Sequence, residues 1–167
     1  MIGIYGGSFD PVHLGHLKTA ESIKKELNFE RLFLLPCCEP VHKKSLQYSS
    51  KQRLDMLSLA IREFPSLEID TREIERGGSS FMIDTLADLL KEFKGKTICL
   101  IIGMDSFISF KTWKKWDEFA KLVHLVILPR KIDQLSRNNL DTFEVARDIE
   151  DLNDKPNGLL YFSNSEL

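Results

Sequence analysis

Two histidines lie three residues apart in a glycine-rich stretch near the start of the chain, GGSFDPVHLGH, residues 6–16. Gly6 and Gly7 allow a ligand to approach the backbone closely. His13 and His16 straddle the predicted start of a helix and fall on the same side of it. A helix N-terminus presents free N–H groups and the positive end of its dipole, so it favours an anion, and two imidazole donors strengthen that preference. The combination predicts a site for phosphate oxygens rather than a pair of surface histidines.

Two further cations lie in segments that could contact the same anion. Lys43, in the sequence PVHKK, carries a compact charge on a long stem that suits phosphate, and His42 is an additional donor. The alternative for Lys43 is a solvated basic pair with Lys44. Arg53 lies in a predicted helix, where it either contacts phosphate or is a surface residue paired with a neighbour one turn away. The residues alone leave both choices open.

Short apolar segments that are typical of buried strands alternate with amphipathic helical patterns along the chain. The predicted strands are residues 1–6, 31–37, 66–70, 97–103, 124–130 and 158–162. The predicted helices are 14–27, a segment with Ser50 as its N-cap, and a segment from Met82 that stops at Gly95. Such alternation implies parallel pairing with right-handed crossovers, so the sequence predicts a single-domain α/β fold with an open, doubly wound parallel sheet.

Ligands of such sheets bind beyond the carboxyl ends of the strands. That rule directs attention to four predicted loops, at residues 6–16, 36–44, 103–116 and 129–132. The unusual residues of the sequence fall in these same loops. The predicted site therefore lies at the carboxyl edge of the sheet.

The composition is that of an ordinary globular protein, with 43% hydrophobic and 29% charged residues and a formal net charge of −2. This balance disfavours nucleic acid as a bulk partner. No apolar run approaches the ~18 residues of a membrane span and no secretory signal is recognisable, so a cytoplasmic protein without a membrane partner is expected. The three cysteines, Cys37, Cys38 and Cys99, match neither a disulfide framework nor a metal-ligand spacing. The sequence predicts no metal held by the protein alone and leaves a homo-oligomer open.

The first loop resembles the GG-S/T-FDP-x-H-x-GH signature of nucleotidyltransferases with an HxGH motif. Further segments narrow the resemblance, and in chain order they are PVHK (40–43), RLDML (53–57), DTREIERGGSSFMIDTL (70–86), IIGMDSF (101–107) and TWKKW (112–116). In order and spacing they are similar to motifs of bacterial nicotinate mononucleotide adenylyltransferases, over nearly the whole chain. The resemblance implies the Rossmann-like nucleotidyltransferase fold of that family.

The resemblance also implies a reaction. Enzymes of the family join the AMP moiety of ATP to a pyridine mononucleotide, with Mg2+ assisting, and release pyrophosphate. This chain would accordingly form deamido-NAD from ATP and nicotinate mononucleotide in NAD biosynthesis. Because the substrate's own phosphate is the nucleophile, catalysis would consist of positioning and charge stabilisation without a covalent enzyme intermediate. His13, His16 and Lys43 take the catalytic, phosphate-holding role in this interpretation.

Two nucleotide subsites follow from the same resemblance. The expected ATP-binding residues are Gly6, Gly7, Ser8, Phe9, Gly103, Asp105, Arg130, Ser163 and Ser165. The expected nicotinate-nucleotide-binding residues are Ser80, Phe81, Met82, Asp84, Thr85 and Trp113. Asp105 would bond ribose hydroxyls, and Trp113 would stack on the nicotinate ring, with Trp116 as the competing candidate. Asp84 and Thr85 would alternatively cap a helix.

Met82 departs from the family pattern, which usually has a threonine at this position. Backbone N–H groups around SFMIDT are expected to select the acid over the amide form of the substrate. A main-chain contact would survive the change at Met82, whereas a hydroxyl contact would not.

The last six residues, FSNSEL, resemble the beginning of the family's ISSTxIR-type phosphate-binding segment. Ser163 and Ser165 fall on its hydroxyl positions, and the expected arginine would come after Leu167. The interpretation is therefore one nucleotidyltransferase domain, residues 1–167, cut short within this segment, or else a divergent version with weakened ATP binding.

Two other functions compete with this interpretation. A pantetheine-phosphate adenylyltransferase shares the first-loop motif but is not expected to carry the segments SSFMIDTL and TWKKW. A nucleotide-binding module without turnover is the alternative from a different class, because the C-terminal motif is incomplete.

Overall fold

A computed structural model gives the structure of the chain and describes residues 1–40, 45–129 and 141–165. Its strands are β1 (Ile2–Gly7), β2 (Arg31–Pro36), β3 (Glu39–Pro40), β4 (Glu68–Ile69), β5 (Ser79–Ser80), β6 (Ile98–Gly103), β7 (His124–Leu128), β8 (Glu144–Val145) and β9 (Leu159–Phe162). One parallel sheet has the order β4-β2-β1-β6-β7-β9-β8, and β3 pairs in parallel with β5 in a separate short ribbon. The predicted α/β class with a parallel sheet is confirmed.

Helices connect these strands. They are α1 (Leu14–Glu26), α2 (Ser50–Ala60), α3 (Arg72–Arg76), α4 (Met82–Glu92), α5 (Met104–Ile108) and α6 (Ile149–Asp154). Short 3-10 turns cover Ile61–Glu63, Phe110–Thr112 and Trp116–Lys121. None of the helices in the described parts of the chain has both the length and the apolar character that a membrane crossing requires.

Apolar side chains cover both faces of the sheet, which is why its strands are continuous apolar runs rather than alternating patterns. On one face, Ile4 and Leu100 pack in the cluster that contains Leu86 of α4. On the other face, Tyr5 and Ile101 pack in the cluster that contains α1, α2 and α6. The sheet is therefore the middle layer of three.

The element boundaries differ from the predicted ones at α2. Its N-cap is Ser49 rather than Ser50, because the Ser49 hydroxyl accepts from the N–H of Gln52 at 3.2 Å and the Gln52 side chain accepts from the N–H of Ser49 at 3.0 Å. This is a capping box, in which two otherwise unpaired N–H groups are satisfied reciprocally. The buried face of α2 carries the charged residue Arg53 beside the apolar residue Leu57.

The order in which the chain adds strands to the sheet reverses between β1 and β6. The chain proceeds from β1 outward through β2 to β4, then returns to place β6 on the other side of β1 and continues through β7 to β9. Pairing between β1 and β6 stops at Tyr5 with Ile101, although the two strands extend to Gly7 and Gly103. Adjacent connections leave such a point in opposite directions, so a crevice opens at the carboxyl edge.

Candidate active site

A cleft of about 420 Å³ occupies this crevice. The first loop, the ribbon, the start of α4 and the segment after β6 all contribute to its lining. The predicted site residues that line it are Gly6, Gly7, Ser8, Phe9, His13, His16, Ser80, Phe81, Met82, Gly103, Asp105 and Trp113. The structure thus brings members of both predicted subsites into one cavity.

The two histidines stack on each other at the N-terminus of α1. Their ring centroids are 3.7 Å apart, with 31° between the ring planes. The backbone N–H of His13 donates to Nδ1 of His16 at 3.3 Å. Since Nδ1 is the acceptor, a neutral His16 ring carries its proton on Nε2, which makes Nε2 a donor. Together with the positive end of the helix dipole, this arrangement favours an anion in the cleft.

Met82 lines the cleft beside the first loop. A Cβ atom built on Gly6 would lie 2.8 Å from the terminal methyl carbon of Met82. That distance is shorter than Cβ contacts normally are, so a side chain at position 6 would displace the flexible end of Met82. The thioether therefore occupies space between the first loop and the start of α4.

Trp113 is the tryptophan that lines the cleft, and Trp116 does not line it. The Trp113 ring packs against Phe110 at 5.1 Å and against Phe119 at 6.0 Å between centroids. Trp116 instead lies 5.6 Å from the ammonium of Lys111. Of the two candidates for stacking on the substrate ring, the structure favours Trp113.

Thr85 lies behind the cleft and does not line it. It is fully buried, and its hydroxyl accepts from Arg76 at 2.7 Å and donates to Oε1 of Glu73 at 2.7 Å. Glu73 is 2% exposed and lines the cleft, and burial raises the pKa of its carboxyl. The Ser80 hydroxyl accepts from the N–H of Cys38 at 2.9 Å and also bonds Glu73. Sequence reasoning missed Glu73, because nothing in the pattern REIER distinguishes it from a surface carboxylate.

Asp84 also lies off the cleft. Its carboxylate pairs with the ammonium of Lys114 at 2.9 Å, and the same ammonium lies 4.6 Å from the centre of the Phe81 ring. Lys114 itself lines the cleft and was not among the predicted residues. The N-cap of α4 is Phe81, so the alternative in which Asp84 or Thr85 caps this helix is not observed.

The C-terminal serines bond a helix rather than the cleft. The hydroxyls of Ser163 and Ser165 donate to Oε2 of Glu26 at 2.7 and 2.8 Å, and the N–H of Asn164 and the hydroxyl of Tyr161 donate to Oε1. Burial raises the pKa of Glu26, but these hydrogen bonds outweigh it and hold the pKa below its ordinary value. Neither serine lines the cleft.

Several predicted residues are not covered by this geometry. Lys43, its neighbour His42, and Arg130 lie outside the described residues. Arg53 is described and fully buried, so neither of its predicted roles, a phosphate contact or an exposed ion pair, matches its position. Among the described residues there is no group of three or more His, Cys, Asp or Glu side chains that could hold a metal ion.

Comparison with known proteins decides the family. A family model described as cytidylyltransferase-like matches residues 4–151. A protein of Vesicomyosocius okutanii named "Probable nicotinate-nucleotide adenylyltransferase" is 43% identical over 167 residues, which cover 100% of this chain and 79% of that protein. The chain belongs to the nicotinate-nucleotide adenylyltransferase family. A Methylococcus capsulatus member with the same name is 38% identical over 97% of this chain and 80% of its own length.

Solved structures share the fold of this nicotinate-nucleotide adenylyltransferase family member. The Plasmodium falciparum nicotinic acid mononucleotide adenylyltransferase complexed with NaAD superposes with a TM-score of 0.72 at 18% identity, covering 97% of this chain and 73% of that chain. The same enzyme complexed with APC gives a TM-score of 0.66 at 16% identity. Nucleotidyltransferases of this kind generally use a divalent metal with ATP.

Proposed function

We infer that this chain transfers the adenylyl group of ATP to nicotinate mononucleotide, giving deamido-NAD and pyrophosphate in NAD biosynthesis. One observation carries the inference: a single cleft holds both the stacked histidines at a helix N-terminus and an aromatic platform at Trp113. The first suits phosphates and the second suits a flat heteroaromatic ring. Family membership supports this function over pantetheine-phosphate adenylyltransfer.

The first loop and α1 form the proposed ATP phosphate site. Nε2–H of His16 donates to a phosphate oxygen, and His13 and the N-terminal amides of α1 add further positive character. Gly103 lets the adenosine approach the end of β6, and Asp105 accepts from ribose hydroxyls. These groups stabilise the charge that builds up as the mononucleotide phosphate displaces pyrophosphate at the α-phosphate. Mg2+ bound together with ATP would neutralise part of the charge on the phosphates.

The nicotinate side is formed by Trp113 and the start of α4. The indole stacks on the pyridine ring while the first-turn N–H groups of α4 face its carboxylate. The Ser80 hydroxyl is already engaged by Cys38 and Glu73, and Met82 offers no hydroxyl. We therefore assign the preference for the acid to main-chain N–H groups.

Turnover of the purified chain tests the function. Incubation with ATP, Mg2+ and nicotinate mononucleotide is expected to release pyrophosphate and form the dinucleotide, and phosphopantetheine in place of the mononucleotide is expected to give none. His16→Ala should lower turnover by about 100-fold, the usual loss when one preorganised donor to a transition state is removed. Lys18→Ala, on the exposed side of the same helix, is the control and should retain wild-type turnover.

Two results would each contradict one part of the proposal, the reaction or the role of His16. Binding of ATP by the chain without any pyrophosphate release would favour a nucleotide-binding module without turnover. Wild-type turnover in His16→Ala would remove the proposed role of that imidazole while leaving the reaction itself in place.

A further inference from the structure

Arg53 is a fully buried arginine that does not line the cleft and touches the first loop from behind. Its guanidinium donates to three backbone carbonyls: Nη1 to Ser8 at 2.7 Å, Nη2 to Cys38 at 2.8 Å and Nε to Tyr48 at 3.3 Å. A buried charge is tolerated only when it is hydrogen-bonded, so these contacts account for its presence on the inner face of α2. The guanidinium thus links three segments of backbone through hydrogen bonds.

The carbonyl of Ser8 precedes a residue in an unfavourable conformation. Phe9 has φ of +46°, in the left-handed region that residues other than glycine avoid. Such a conformation persists only where the surroundings hold it in place. Here Arg53 holds the preceding carbonyl, and the Phe9 ring, 2% exposed, packs edge-on against Tyr5 at 5.7 Å and His16 at 5.2 Å between centroids.

The same loop is tied to the start of α2 a second time. The carboxylate of Asp10 accepts from the N–H of Gln47 at 2.7 Å and from the N–H of Tyr48 at 2.9 Å. Arg53 takes the carbonyl of Tyr48, while Asp10 takes its N–H. The hydrogen bond from Arg53 to the Ser8 carbonyl and those from two backbone N–H groups to Asp10 thus hold the loop on both sides of Phe9.

We propose that Arg53 is a positioning residue for His16. Arg53 fixes the Ser8 carbonyl, which fixes the backbone of Phe9, whose ring in turn sets the His16 imidazole against the cleft. The proposal rests on the proposed function for what His16 does there. A lysine cannot replace this arginine, because a single ammonium does not present donors along the divergent directions of the three carbonyls.

Steady-state kinetics of Arg53→Met and Arg53→Lys test the proposal against a matched control. A displacement of His16 by a fraction of an ångström to 1 Å should lower kcat by about 100-fold in Arg53→Met and by about tenfold in Arg53→Lys. KM for both substrates should stay within about threefold of wild type, because the loss falls on the transition state. The control is Leu57→Ala, a fully buried residue on the same face of α2 one turn later. It should lower the unfolding temperature while the folded enzyme keeps its kcat.

Two kinetic results would overturn the proposal. One is a wild-type kcat in Arg53→Lys, and the other is an equal loss of kcat in Leu57→Ala and Arg53→Met. If Arg53→Met does not fold, Arg53→Lys decides alone.

A spectroscopic measurement separates this proposal from the proposed function. The ring resonances of His16 in substrate-free protein should shift in Arg53→Lys and stay in place in Leu57→Ala, because ring currents from Phe9 and His13 depend on the relative position of the three rings. Unmoved His16 resonances in Arg53→Lys would overturn the positioning role even if the wild-type chain shows no turnover. Absence of wild-type turnover with shifted resonances would count against the function alone.

Discussion

The polar and aromatic side chains at the cleft are oriented by their neighbours more than by the elements that carry them. His16 receives the N–H of His13 and the edge of the Phe9 ring. Trp113 packs against Phe110. Lys114 lies between the carboxylate of Asp84 and the ring of Phe81. Each side chain therefore has little freedom to lose when a ligand binds, which lowers the entropic cost of recognition.

Trp113 and Trp116 lie three positions apart, so substituting each in turn compares a tryptophan that lines the cleft with one that does not. Trp113→Ala should raise KM for nicotinate mononucleotide by about tenfold or more, since a stacked aromatic contact contributes roughly 1–3 kcal/mol. KM for ATP should change little, because the indole belongs to the other subsite. Initial rates at varied substrate concentrations measure both values.

Trp116→Ala is the matched control for that substitution, because Trp116 is half-buried and lies off the cleft. It should leave KM for the mononucleotide near the wild-type value. The reverse result, with only Trp116→Ala raising that KM, would assign stacking to Trp116.

At the scale of elements, the ribbon of β3 and β5 and the start of α4 are locked to α3 by a buried hydrogen-bond network. Its bond directions are determined, since the Ser80 hydroxyl accepts from Cys38 and the Thr85 hydroxyl accepts from Arg76. Both hydroxyls are therefore left to donate to Glu73. The network explains how a two-residue strand holds a defined position beside the substrate cleft.

Replacing Thr85 by valine removes a hydroxyl from this network with almost no change in side-chain size. Thr85→Val should lower the free energy of unfolding by about 1–3 kcal/mol, because it leaves a buried oxygen of Glu73 without its donor and removes the acceptor for Arg76. KM for the mononucleotide should rise as the start of α4 loosens. Denaturant unfolding and initial rates measure the two effects.

Thr85→Ser is the companion variant, since it keeps the hydroxyl and loses only a methyl group, at a cost of about 0.8 kcal/mol. Equal or greater stability in Thr85→Val than in Thr85→Ser would show that the hydroxyl does not hold the network together.

At the scale of the whole molecule, a buried histidine links two neighbouring strands of the parallel sheet at their amino-terminal ends. His124 is fully buried at the start of β7, where its Nδ1 accepts from the N–H of Leu159 at 3.1 Å and its Nε2 lies 2.9 Å from the carbonyl of Lys155. Since Nδ1 is the acceptor, Nε2 carries the proton and donates to that carbonyl. The neutral ring thus joins β7 to the start of β9, and burial lowers the pKa of His124 from its ordinary value of 6.5.

This depressed pKa gives stability a definite dependence on pH. Above 6.5 the ring is neutral in both states, whereas below 6.5 the unfolded chain binds a proton that the folded protein resists. The free energy of unfolding should therefore fall as pH decreases from 6.5 toward 5. Urea unfolding at a series of pH values measures this decrease.

His124→Asn keeps an acceptor for the N–H of Leu159 and removes the titrating ring. The variant should be less stable at pH 8 and should show a flatter dependence between pH 6.5 and 5. A slope equal to that of wild type would assign the effect to another group.

The sequence by itself determined the parallel α/β class and the edge of the sheet at which the candidate site residues lie. Both follow from local information: continuous apolar runs identify strands buried on two faces, and the HxGH pattern marks the turn after the first of them. Tertiary structure alone decided that Arg53 is buried behind the first loop, that Thr85 supports Glu73, and that Trp113 rather than Trp116 lines the cleft. It also placed Ser165 on Glu26, 139 positions away in the chain. Periodicity reports which face of an element is apolar, but the partner of a polar side chain depends on which distant elements pack against it.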